Sequence, residues 1–166
     1  MVTEINHDAI KNRIIDILKD TTTLWDPTAV SGKFRKMLVG APHGNIPEDE
    51  VMPYIFVTND DLIEEDEPTS TIQNNVGHTS THTLRYLIVF MVKEKDGRTA
   101  EKSLDDFGKL IKEQLKTNYD LRNPTTGLDP KVATSWPEET RILNRELVGS
   151  HIQGRVILFR CTAYTS

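Results

Sequence analysis

The stretch TSTHTLRYLIVFMVKEKDGRTAEKSLDDFGKLIKEQL, from Thr79 to Leu115, decides the fold. Between Ser80 and Val92, one alternating set is His82, Leu84, Tyr86, Ile88, Phe90 and Val92; the other is Thr83, Arg85, Leu87, Val89 and Met91. The second half of this segment is apolar on both faces, which predicts a central strand covered on two sides. Asp96-Gly97 supplies a tight turn. Thr99 is then placed to cap a helix with Glu101 in its first turn. Leu104, Phe107, Leu110, Ile111 and Leu115 form its apolar stripe. Gly108 shares that stripe at a cost of about 1 kcal/mol relative to alanine, which a close approach of helix to sheet would offset.

Towards the N-terminus, Ile10, Ile14, Ile17 and Leu18 recur on a 3.6-residue period. Asn6 is placed as an N-cap and Asp8 lies where a carboxylate favours the helix dipole. Asp20 and Thr21-Thr22-Thr23 end that helix. Phe34 to Val39 is predicted as a short strand, and Gly40 to Pro47 as a loop. Met52 to Thr58 is a second strand candidate, with Pro53 at its start or on an edge because proline cannot donate to a ladder. Asn59 to Asn75 then reads as a solvated loop. Asp60, Asp61, Glu64, Glu65, Asp66 and Glu67 put six acidic charges in eight residues, without which the chain would sum to +1 rather than −5.

Beyond the second helix, Asn118 to Glu139 reads as a long connection, with Pro124, Gly127, Pro130 and Pro137 opposing regular structure. Arg141 to Val148 and Arg155 to Tyr164 are strand candidates expected to pair as an antiparallel hairpin. The order of elements favours an α+β fold: a mostly antiparallel sheet of four to five strands with two main helices packed on one face. The 166 residues are predicted to form one domain, with long loops at about 59–76 and 118–139.

Composition narrows the function classes. The mild negative charge opposes a basic nucleic-acid or membrane-surface face. No window approaches the roughly 18 apolar residues of a membrane span. The N-terminus lacks the plan of a signal peptide, and Cys161, the single cysteine, fits a protein made in a reducing cytoplasm. The expectation is a soluble, intracellularly produced protein that needs no cofactor or metal. There is no phosphate loop, dinucleotide fingerprint or nucleophile elbow. His78 and His82 lie four apart in an extended segment, about 13 Å along a strand, so surface or loop histidines are the simple reading and a metal site the minority one. Cys161 reads as a buried strand residue rather than a nucleophile. The acidic run lacks the alternating ligands and central glycine of a calcium loop. Trp25 and Trp136 flank proline-containing loop signals; core-edge packing is the simple reading and interface anchoring the minority one.

Three motifs occur in order around the opening block: Met52-Pro53-Tyr54-Ile55; His78-Thr79-Ser80-Thr81-His82-Thr83-Leu84 leading into the apolar strand; and Asp96-Gly97-Arg98-Thr99-Ala100-Glu101-Lys102 opening the helix. Together with Gly154 to Ala163, they resemble the tail-completion and tail-terminator family of long-tailed bacteriophages. The resemblance implies a non-enzymatic virion protein made in the host cytoplasm. It would form a homo-oligomeric ring of six copies at the head–tail junction, meeting the tail tube protein and the head-completion or connector protein, with DNA only passing through its lumen and no membrane contact. The residues expected to contact partners are Asp60, Asp61, Glu64, Glu65, Asp66 and Glu67, with Trp25 and Trp136. The alternatives are a tail-tube or other minor neck protein, a small metal-dependent hydrolase built on His78 and His82, and a cellular α+β binding module.

Overall fold

A computed structural model describes residues 5–30, 32–41, 52–60, 69–71, 79–122, 131–143 and 152–165. Helix α1 (His7–Lys19) begins at Asn6, whose side-chain oxygen accepts from the Ala9 amide at 3.0 Å. Ile10, Ile14, Ile17 and Leu18 are all buried, joined by Ile15, and Asp20 forms the C-cap. The strands are β1 (Lys36–Val39), β2 (Tyr54–Asn59), β3 (Thr69–Thr71), β4 (Thr79–Lys93), β5 (Lys131–Ile142) and β6 (Ile152–Thr165), with α2 (Gly97–Thr117) between β4 and β5.

The sheet order is β1-β2-β4-β6-β5, with β3 also paired to β4. All pairings are antiparallel except β1 with β2. The fold is therefore α+β, as the order of elements implied, and β4 is its central strand. Both helices pack on one face. Their apolar residues meet Ile55 and Val57 of β2, Leu84, Tyr86, Ile88, Phe90 and Val92 of β4, and Ile157, Phe159, Cys161 and Ala163 of β6. Phe34 ties the layers together: its ring stands edge-on to Phe90 at 6.5 Å and lies 4.4 Å from Phe107 of α2. The opposite face has its own apolar cluster of Tyr54, Phe56, Val89, Met91 and Ile152, against which Met52, Leu87, Leu143 and Val156 pack. This second cluster accounts for the strand that is apolar on both sides.

Several boundaries differ from the sequence-based expectation. The early strand is Lys36–Val39 rather than Phe34 to Val39; Phe34 instead forms an isolated parallel bridge with Trp25. Thr99 does not cap α2. Asp96 does, accepting from the Arg98 and Thr99 amides, and its carboxyl also accepts from the Thr99 hydroxyl at 2.8 Å. Those hydrogen bonds, the hydroxyl's first, hold the Asp96 carboxyl below the usual carboxylate range. Helix α2 thus starts three residues earlier, and its first turn carries no acidic residue.

The expected loop of 59–76 contains strand β3. The larger correction concerns Asn118 to Glu139. Lys131 to Glu139 belongs to β5, so the last two strands pair over Lys131–Ile142 rather than from Arg141 onward. Pro137 is tolerated because β5 is an edge strand, and the register shifts between Val132 and Thr134 and between Pro137 and Thr140. Edges and bulges are where a missing backbone donor costs least. Val148 and the rest of 144–151 lie outside the described residues.

Two glycines test the packing in opposite directions. A Cβ on Gly108 would sit 3.5 Å from Phe90 Cζ, an ordinary contact, so the close approach to the sheet is real but leaves room for a methyl group. Gly108→Ala is expected to raise stability by about 0.5–1 kcal/mol through helix propensity. A Cβ on Gly154, which pairs with Met91, would meet Leu143 Cδ2 at 2.7 Å, Met91 Cγ at 3.0 Å and the Phe90 carbonyl oxygen at 3.1 Å. Because one of those neighbours is backbone, Gly154→Ala is expected to cost about 1–3 kcal/mol. Urea denaturation of the two variants checks both signs.

Candidate interaction surface

Of the residues singled out for partner contact, the structure describes Asp60, Trp25 and Trp136, which lie on different parts of the sheet. Asp60 follows β2, and its amide donates to the Arg85 carbonyl at 3.4 Å. Asp61, Glu64, Glu65, Asp66 and Glu67 lie outside the described residues. Trp25 is partly buried against the helix-side core near β1, with the Lys19 ammonium 4.9 Å from its ring centroid. Trp136 lies on β5 at the other edge of the sheet and is 36% exposed. The Arg160 guanidinium stands 5.8 Å from its ring centroid, within cation–π range. Trp136 is thus a strand residue with a loosely covered ring, not a loop residue.

Register explains the surroundings of Trp136. Arg160 of β6 lies opposite Trp136 on one side and Arg85 of β4 on the other. Arg160 Nε is 3.1 Å from Glu138 Oε1, and the two side chains are only 28% and 25% exposed. The pair lacks the alignment of a hydrogen bond, and Nε is enclosed. Thr83 and Thr162, paired with each other, flank the arginines, and Thr134 pairs with Thr162 from β5. The face away from the helices therefore divides in two. One half is the apolar cluster; the other is a polar strip of threonines, two arginines and one tryptophan. Sequence reasoning passed over Arg85 and Arg160, since only the β4–β6 register shows that they are neighbours.

The single cysteine is removed from solvent. Cys161 is fully buried on the helix-side face of β6, and burial pushes its thiol from the ordinary 9.0 up to about 12. His82 lies on β4, while His78 and His151 lie outside the described residues. His7 meets the buried Tyr86 hydroxyl through Nδ1 at 2.9 Å. Among the described residues, no three of histidine, cysteine, aspartate and glutamate gather as a metal site would require. No helix among them is long and apolar enough to cross a membrane. One open groove of about 170 Å³ lies between Val30, Met52, Pro53, Val92, Lys93 and Phe107. Its lining mixes apolar side chains with Lys93, Glu94 and Ser103, and Val30 is 97% exposed.

No family model matches the chain, and no curated protein does. Among solved structures, a chain in the virion of a native gene transfer agent particle has a similar fold, with a TM-score of 0.55 and 13% identity. The match covers 96% of this chain and 99% of that one. Two chains of nearly equal extent thus share one architecture from end to end, with little sequence in common.

The burial of the thiol is measurable. Cys161 is expected to react with a disulfide reagent only at the rate of opening of the β4–β6 region, so labelling should collapse to unfolding kinetics. Its raised pKa also has a sign. Above pH 9.0 the unfolded chain releases a proton that the folded chain keeps until about pH 12. Stability should therefore fall across that window, less steeply in Cys161→Ala, as urea midpoints at pH 8, 9 and 10 would show.

Proposed function

We propose that this chain is a non-enzymatic structural protein of a phage-like virion, and that it forms a ring at the head–tail junction. The observation that carries the coarse reading is end-to-end fold similarity with a virion chain at matching length. The finer reading rests on the resemblance of Met52 to Ile55, His78 to Leu84, Asp96 to Lys102 and Gly154 to Ala163 to tail-completion proteins. In it, a homo-oligomeric ring, hexameric by that resemblance, completes the tail tube and joins it to the head connector.

The physical character of the molecule supports such a role. The fold's interior is spent on packing, and Cys161 is locked in it. A strip of polar residues lies on the helix-free face and reaches the edge strand β5. Repeated heterologous contacts between identical copies close into a ring without any chemistry. The acidic run Asp60 to Glu67 supplies an element that faces either a neighbouring subunit or the lumen, where negative charge keeps passing DNA from sticking. Trp136, partly exposed and stacked with Arg160, has the character of an interface anchor.

A tail-tube protein is the competing reading, since tubes stack rings of small domains. Electron microscopy separates the two. Reconstruction of intact particles is expected to show one ring of this chain at the head–tail junction, whereas density repeating along the tail would establish the tube reading. Absence from the particle would remove both. Neutralising Asp60, Asp61, Glu64 and Glu65 together is expected to lower the yield of infectious particles, and an unchanged yield would exclude a role for the run.

A further inference from the structure

The polar strip on the helix-free face holds an unbalanced pair of charges. Arg85 and Arg160 are direct cross-strand partners, an arrangement of like charges that is unfavourable unless each has its own counter-charge. Arg160 has one: Glu138 at 3.1 Å, with the Trp136 ring beside it. Arg85 has no carboxylate within ion-pair distance among the described residues, although it is partly buried. A guanidinium held in this setting, with five donors in a rigid fork, is suited to take a carboxylate in bidentate fashion. The threonines at 83 and 162 add hydroxyls beside it. No helix covers this half of the sheet among the described residues.

The chain itself contains the complementary charge. Its whole negative balance is carried by the eight residues from Asp60 to Glu67, and outside them it is slightly positive. We propose that Arg85, with Arg160 and Trp136 beside it, is the docking site for the acidic run of a second copy of this chain. The proposal rests on the ring-forming reading above and names the counter-surface for its acidic element. Run and docking face are different surfaces, so the contact is heterologous, and its repetition from copy to copy is what closes a ring. Asp60 stands beside Arg85 in the same chain, so the experiment must separate docking onto a neighbour from docking onto the run's own subunit.

The test uses two full-length variants, Arg85→Glu and the reversed run Asp61→Lys/Glu64→Lys/Glu65→Lys, each checked for native circular dichroism and studied by sedimentation velocity. The wild-type chain is expected to associate and to dissociate as salt rises. Each variant alone should remain monomeric. Their equimolar mixture should re-associate, because each face then meets a run of opposite charge in an alternating assembly. The milder Arg85→Gln, which keeps size and folding, should weaken association about tenfold or more. A wild-type chain that stays monomeric at every concentration overturns the proposal, as does a mixture that fails to associate. Recovery of thermal stability only when both sets of changes share one chain would assign the contact to the run's own subunit, and so also overturn it. Particle localisation is independent: rescue by mixing in a chain absent from virions would keep this contact and remove the junction reading, and the reverse result would do the opposite.

Discussion

The pairing of β4 with β6 is the constraint on which everything else in this molecule depends. It runs unbroken from Ser80 opposite Thr165 to Lys93 opposite Ile152. Because side chains alternate with a period of two, that one register fixes both faces at once. It sets Leu84, Tyr86 and Ile88 beside Cys161, Phe159 and Ile157 on the helix side. It also sets Arg85 beside Arg160, and Met91 beside Gly154, on the other. A slip of one residue would bury the arginines under the helices and expose the core. The chain is protected from that slip by the volume at Gly154, where any side chain would strike Leu143, Met91 and the backbone of Phe90.

The helices are held by a second, smaller constraint. Phe34 reaches from the segment before β1 into the space between Phe90 and Phe107, so that the α1–β1 connection, the central strand and α2 share one aromatic contact. Burying three rings together gives both area and preferred edge-to-face geometry. At the far end of α2, Gln114 donates to the Ile17 carbonyl at 3.1 Å, and Arg122 pairs with Asp20. These link the C-terminal ends of the two helices. The helix layer is thus fastened at both ends, while the opposite face of the sheet keeps its polar strip.

The sequence was most legible where periodicity is undiluted. The stripes of α1 and α2 and the two-sided apolar half of β4 could be read directly, and they determined the α+β class. Reading failed where a residue's usual meaning depends on its place in the sheet. Pro137 reads as a strand breaker in sequence, yet an edge strand with irregular register accommodates it, so most of β5 is hidden in what reads as a connection. Thr99 looked like a cap because the turn was assigned to Asp96, whereas Asp96 itself caps and Thr99 hydrogen bonds back to it. The polar strip on the helix-free face was the least legible part. Trp136 is visible as a residue, but its stacking on Arg160, and the opposition of Arg160 to Arg85, exist only through strand pairings between residues far apart in sequence.

The irregular edge at β5 has a consequence for the behaviour of many copies in one place. An open, flat edge invites another strand to continue the ladder, and repetition of that event leads to fibres. Here the missing amide at Pro137 and the two register shifts leave no long uniform row of donors and acceptors. Copies crowded together at high concentration are thereby steered away from backbone-to-backbone growth, which has no natural end. At this edge, that leaves side chains rather than a backbone ladder as the means of recognition.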